Sequence, residues 1–501
     1  MPRAQSDEAT RKLLLEDLSR FAVGGAAESS ELRRNAQLFR DHLPIPEHRR
    51  VLDDETLLVL GGRGAGKSQL FNVLRRLEDP TSLITQRRTA DGSASQYLAG
   101  YSASETSFPR PEVLAQINSD DDPDRLRNLW LGLLCGVLLN ENVTSGIVAE
   151  HLDAATTDIL RNRLATPTQW LSVVSEKLED IANALDRADE FLRDAQRSVI
   201  ITYDDLDILA AKIVDVYPLV AALLSFWLRN SRRWRRLRCK IFLRTDIFGS
   251  DALNFTDSSK LRPLSITLSW SADNLYRLVL KRLLNGTKKT MWQKFVQPGI
   301  PATSIKELPP WGLVPQTTEL QHKAFMENLV GRWMGTDKRK GDTYRWFLNH
   351  LQDSLGDIAP RSFLKLFESS AGRQLQVAPT GTKHLLTPEQ IAGALEDVSK
   401  DRIQELKEEY PWIETIKRNL NNETVPIERK ELRASIVHKS DWSALPKHLA
   451  DKTNRADFLI DYLASLGILR VASDNRIHVP DIYLFGFGLK RKGGIRRPRI
   501  G

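Results

Sequence analysis

The feature that most limits what this chain can fold into is residues 55–71, ETLLVLGGRGAGKSQLF. A short apolar run of strand character breaks into glycines, and SQLFNVLRRL then resumes with helical spacing. Gly61-Gly62-Arg63-Gly64-Ala65-Gly66-Lys67-Ser68 fits G-x-x-x-x-G-K-[ST], and a strand before it with a helix after it is the context that motif requires. Glycines let backbone N–H groups curl around a phosphate with no Cβ in the way. The following helix points its positive end at the anion. Lys67 is then placed to reach β- and γ-phosphates and Ser68 to hold Mg²⁺. All eight residues, Gly61, Gly62, Arg63, Gly64, Ala65, Gly66, Lys67 and Ser68, are candidate nucleotide contacts.

A second apolar run tests the first. Val199-Ile200-Ile201-Thr202-Tyr203-Asp204-Asp205-Leu206-Asp207 reads as a buried strand ending in acids. An ATP site needs a carboxylate for the metal at such a strand's C-terminal edge. Asp204 is the candidate metal residue and Asp205 the candidate acid that polarises the attacking water, with Asp207 as the alternative. Aspartate is one methylene shorter than the commoner glutamate, which points to slow hydrolysis. Lys240-Ile241-Phe242-Leu243-Arg244-Thr245-Asp246 is a third buried strand, whose tip faces the γ-phosphate in this architecture. Arg244 or Thr245 is the candidate sensor there; a salt bridge from Arg244 to a neighbouring acid is the plainer alternative.

Alternation of such strands with helical segments predicts an α/β fold, a parallel sheet with helices on both faces. The predicted divisions are an N-terminal helical segment at 1–50, a P-loop core at 51–270, a helical lid with an insertion at 271–375, a helical connector at 376–440, and a terminal domain at 441–501. DDDPDR predicts a helix start before the apolar run to Glu141. A long amphipathic helix is expected over Thr168–Ala195, and an Asp474–Asn475 turn between ILRVAS and RIHVP predicts a hairpin. No apolar run reaches the ~18 residues of a membrane span; Leu129–Leu139 and Val216–Leu228 read as buried helices. Two cysteines, Cys135 and Cys239, without metal spacing, and an N-terminus without an apolar signal, predict a cytoplasmic protein with reduced thiols. His42, His48, His322 and His350 show no ligand spacing.

The glycine loop, the DDLD strand end, the later sensor strand and a helical lid together resemble the AAA+/STAND branch of P-loop ATPases. DDLD resembles the strand end of KAP-type and STAND ATPases. Asp357-Ile358-Ala359-Pro360-Arg361-Ser362-Phe363 resembles the lid motif whose arginine touches nucleotide, which implies that role for Arg361. Arg262, in Lys260-Leu261-Arg262-Pro263, stands where such ATPases often keep an arginine acting across a subunit boundary; a plain surface charge is the alternative. The terminal helix, hairpin and basic end resemble the winged helix of origin-recognition-type initiators, and FLRTDIF with VPDIYLFGFGLKRKGG resembles P-loop ATPases of phage defence and mobile elements. The resemblance implies Mg-ATP, homo-oligomers, and a DNA-related switch. It departs at Asp205, at the interruptions 79–125 and 286–350, and in having no recognisable pore loop.

Net charge is +8, which permits an acidic partner without demanding one. Arg232, Arg233, Arg235, Arg236, Arg238 and Lys240 surround Trp234. They read either as a basic helix end or as a nucleic-acid or protein surface. Lys490, Arg491, Lys492, Arg496, Arg497 and Arg499 read as a mobile arm for phosphates or as a merely solvated tail. Trp292, Trp311, Trp333 and Trp346 read as core of the insertion. Two functions remain open: an ATP-hydrolysing switch acting on nucleic acid, and a weakly hydrolysing scaffold that assembles and recruits an effector protein.

Overall fold

The computed structural model describes residues 2–20, 31–77, 94–118, 122–210, 213–249, 253, 255, 257–377, 383–439 and 454–492. They fall into two compact units, Pro44–Ser269 and Met1–Leu43 together with Trp270–Gly501.

The first unit is built on the expected parallel sheet. Its strands are β1 (Leu58–Gly61), β2 (Ala94–Tyr101), β3 (Arg197–Tyr203), β4 (Leu237–Arg244) and β5 (Ser265–Thr267), in the order β2-β3-β4-β1-β5. Every pairing is parallel. Successive strand residues face opposite sides of a sheet, yet every residue of β1 and the last six of β3 are buried. Helices therefore cover both faces, the arrangement that explains the unbroken apolar runs. The helix Lys67–Arg76 packs on β1, β2 and β4, and Leu178–Asp194 packs on β3 and β4. Pro123–Leu139 starts as its sequence predicts, with Asp122 Oδ1 accepting from the Asp124 and Arg125 N–H groups and Pro123 in the first turn.

The expected helix Thr168–Ala195 is two helices, Leu171–Glu176 and Leu178–Asp194, broken at Lys177. The first packs on Pro123–Leu139, whereas the second packs chiefly on Ser145–Glu150 and the sheet. The basic run around Trp234 also differs from expectation. Trp234 and Lys240 are buried, at 3% and 0% exposure. Lys240 Nζ donates to the carbonyls of Asp53 and Thr56, both at 2.6 Å. Burial lowers its pKa to about 8. Asp189 accepts from the backbone N–H groups of Arg235, Arg236 and Leu237, and Arg233 pairs with Asp186.

The second unit is mainly helical. Pro2–Leu18 packs on Pro360–Leu375 and Lys289–Val296. Asp17 accepts from Trp292 Nε1 at 2.9 Å. A ring cluster forms its centre, with Tyr276 at 4.6 Å from Tyr344 and 5.1 Å from Phe363, centroid to centroid. Trp292 and Trp311 are buried; Trp333 and Trp346 are half-buried. Pro388–Glu409 packs on Pro360–Leu375, and its Ser399 Oγ accepts from the Gly486 N–H at 2.8 Å. Near the C-terminus the described helices are Arg429–Lys439 and Arg455–Ser465. The predicted hairpin Arg470–Val471 with Arg476–His478 then takes Ile427–Glu428 as a third strand. Asn475 holds the turn at φ 63°.

Arg491 departs from the mobile-arm reading. Its segment Lys490–Arg491 pairs with Thr424–Val425, and its guanidinium reaches Asp481 at 2.6 Å with 19% side-chain exposure. Local backbone pairing and a buried carboxylate outweigh the run of basic residues around it. Arg496, Arg497 and Arg499 lie outside the described residues. No described helix is long and apolar enough to cross a membrane.

Candidate nucleotide site

The parallel order places the C-terminal ends of β1, β3 and β4 side by side, with β4 between the other two. Gly61 therefore registers with Arg244, and Tyr203 with Ile241. The glycine loop, the acidic turn and the Arg244 tip converge without adjacency in sequence.

Gly64 and Gly66 take φ values of 77° and 98°, which L side chains rarely adopt. A Cβ on Gly61 would sit 3.0 Å from Ala65 Cβ, so the loop closes too tightly there for any larger residue without a shift. Lys67 opens the helix Lys67–Arg76, and its Nζ donates to the carbonyls of Gly61 and Gly62 at 2.9 and 3.1 Å. Burial lowers its pKa, and the nearby carboxylates of Asp207 and Asp204 push the other way. Ser68 is exposed on the same turn.

Asp204 ends β3 at 4% exposure. Burial raises its pKa to about 6, against a hydrogen bond from Ser68 that favours the carboxylate. Asp205 follows at φ 58°, ψ 24°, in the left-handed region where aspartate is among the more tolerant residues. Its Oδ2 accepts from Ser102 Oγ at 2.9 Å. Ser102 directly follows β2, and only the pairing of β2 with β3, which no motif around it signals, brings it there. Arg244 is 5% exposed. It donates to Asp246 Oδ2 at 2.7 Å and approaches Asp207 Oδ2 at 3.5 Å. The plainer alternative for Arg244, an ion pair with neighbouring acids, is thus present at the strand tip.

Ser68 hydroxyl and Asp204 carboxylate together suit Mg²⁺, an ion that keeps waters and phosphate oxygens as its remaining ligands. The loop glycines and the helix N-terminus provide the matching phosphate cradle. Arg262 is not part of this cluster of contacts. Arg361 belongs to the second unit, in the first turn of Pro360–Leu375, with a 61%-exposed side chain 3.5 Å from Glu405. Arg262 is an exposed residue at the end of the turn Ser258–Leu261.

No protein-family model matches the chain, and no curated protein matches it. Among solved structures it is similar to Cdc6p from Pyrobaculum aerophilum, at 12% identity and a TM-score of 0.29, over 92% of this chain and 93% of that one. It is similar to the ORC2 protein of Aeropyrum pernix in ADPNP–ADP complexes, at 10% identity and a TM-score of 0.28, over 93% and 98%. It is also similar to the ORC1 protein of Aeropyrum pernix in complex with DNA, at 12% identity and a TM-score of 0.29, over 92% and 93%. Likeness at this level leaves the function to be argued from this chain's own residues.

Proposed function

We propose that this chain is a Mg-ATP-binding and ATP-hydrolysing switch of the AAA+ type, working on DNA or a DNA-associated complex. The observation that carries the reading is the convergence of the glycine loop, Lys67, Ser68, Asp204 and Asp205 at the ends of β1 and β3. Backbone N–H groups of the loop and the Lys67 ammonium hold the phosphates. Lys67 must leave the carbonyls of Gly61 and Gly62 to do so, exchanging neutral acceptors for charged ones. Ser68 and Asp204 hold Mg²⁺, which when bound neutralises charge on the phosphate oxygens. Asp205 orients the water that attacks the γ-phosphorus, and Ser102 sets where that carboxylate points. Arg361 is assigned a contact with bound nucleotide.

The DNA side of the reading rests on the described C-terminal elements, the strand Ile427–Glu428, the helices Arg429–Lys439 and Arg455–Ser465, and the hairpin Arg470–Val471 with Arg476–His478, which we read as belonging to a winged helix. Basic residues, homo-oligomerisation and a place in phage defence, mobile-element control or replication-type loading belong to the same proposal.

One observation favours the scaffold alternative. Asp205 is short, and its carboxylate is already tied to Ser102. A chain that binds ATP, hydrolyses it little and recruits an effector protein would need no more. Steady-state ATP hydrolysis with and without DNA separates the two readings. Stimulation by DNA that is lost in Asp205→Ala supports the switch. Micromolar ATP binding with no turnover under any condition supports the scaffold.

A further inference from the structure

The insertion contributes a feature that the nucleotide site does not use. Residues 331–345, GRWMGTDKRKGDTYR, carry five cations and two acids. They form a closed knuckle in the second unit. Thr343 N–H donates to the Arg332 carbonyl at 3.0 Å, and Met334 N–H to the Gly341 carbonyl at 2.9 Å. Trp333 bridges Asp342 between them, and Thr343 Oγ1 donates to the Gly331 carbonyl at 2.7 Å. The two limbs are thus pinned before the tip begins.

At the tip, Lys338–Lys340 makes a 3₁₀ turn capped by Asp337, whose Oδ1 accepts from the Arg339 N–H at 2.8 Å. The Lys340 stem lies across Gly335 on the opposite limb; a Cβ there would be 2.7 Å from Lys340 Cγ. Consecutive residues of a 3₁₀ turn point about 120° apart, and all three basic side chains are exposed. Lys338 and Lys340 have no acidic partner among the described residues, and Arg339 reaches only Asp337, at 3.4 Å with 87% side-chain exposure. Arg332 stacks over Trp333 at 4.8 Å on the flank, and Arg345 is exposed beside it.

We infer that this knuckle is a contact for the phosphate backbone of duplex nucleic acid, its tip seated in a groove with Lys338 and Lys340 on the flanking phosphates. Three cations splayed around a narrow, pinned tip cannot all meet a flat surface, whereas two phosphate rows flanking a groove can receive them. The tip has no exposed apolar residue to enter a lipid interface: Met334 is buried and Trp333 is covered by Arg332. The N–H groups of Arg339, Lys340 and Gly341 are spent within the turn, and contacts from Lys338 and Lys340 to phosphates position the duplex without reading its sequence. The inference deepens the DNA part of the proposed function and does not depend on ATP turnover.

The test uses the full chain and a short random-sequence duplex, with binding followed by fluorescence anisotropy over a salt series. Each lost phosphate contact should flatten the slope of log K against log salt by about 0.9. The triple variant Lys338→Ala, Arg339→Ala, Lys340→Ala is expected to flatten it by about 2–3, and to weaken low-salt binding by at least about tenfold. ATP hydrolysis without DNA should stay unchanged, and Lys338→Arg with Lys340→Arg should bind as the parent chain does. An unchanged slope in the triple variant overturns the inference while leaving the rest of the proposed function standing. So does an arginine variant as weak as the alanine one, or a triple variant that loses binding to anionic vesicles but keeps the parent's duplex binding. A parent chain that binds no duplex at all overturns it together with the DNA part of the proposal; ATP turnover then reads the nucleotide site separately.

Discussion

Asp204 meets two opposed demands. A metal ligand must be ionised, yet burial raises this carboxyl from 3.8 to about 6. Between those values the folded chain holds a proton that the unfolded chain has released, so this group's contribution to stability falls as pH rises through that window. Above it, the nucleotide-free protein carries a buried carboxylate. Asp204→Asn removes that cost. The nucleotide-free variant is expected to be more stable than the parent near pH 7, by on the order of 1–3 kcal/mol, with the gap closing toward about pH 4. Thermal melts at both pH values check this, and an equal gap at both would contradict it. The same variant should lose Mg²⁺-dependent nucleotide binding. Lys67→Ala should abolish nucleotide binding, measured by titration with a fluorescent ATP analogue; retained affinity would contradict the assignment of the glycine loop.

Among the elements, the helix Pro123–Leu139 shows what packing requires of sequence. A Cβ on Gly132 would lie 2.3 Å from Trp170 Cζ3, and one on Gly136 would lie 2.6 Å from the Leu160 carbonyl oxygen. Gly132→Ala should therefore destabilise the first unit by about 1–3 kcal/mol. Gly372, inside Pro360–Leu375, has open space where a Cβ would go. Gly372→Ala should stabilise by about 0.5–1 kcal/mol through helix propensity alone. Chemical denaturation of the two variants gives opposite signs if the packing is as described.

The elements also show what was legible in the sequence. β1, β3 and β4 were readable because strands buried on both faces must be continuously apolar. The hairpin was readable from Asp474-Asn475, whose turn needs a residue tolerant of positive φ. Three features were not. Ser102 reaches Asp205 only through strand pairing. Lys240 reads as a surface cation, because the carbonyls that satisfy it lie near residue 55. Lys177 breaks a helix whose own sequence is helical throughout, and no residue type there marks the break.

For the molecule as a whole, the two units divide the chemistry. The first holds the converged glycine loop and acids; the second holds the basic knuckle and the C-terminal helix–hairpin arrangement. The central claim is that Asp205 makes the first a hydrolytic site. The most direct measurement is steady-state ATP turnover by the parent chain and by Asp205→Ala, each with saturating Mg-ATP and with or without duplex DNA. Slow turnover by the parent that rises with DNA is expected, and at least about a hundredfold lower turnover in Asp205→Ala, with ATP binding retained. Turnover that is equal in the two proteins, or absent from a parent chain that binds ATP, would contradict that claim.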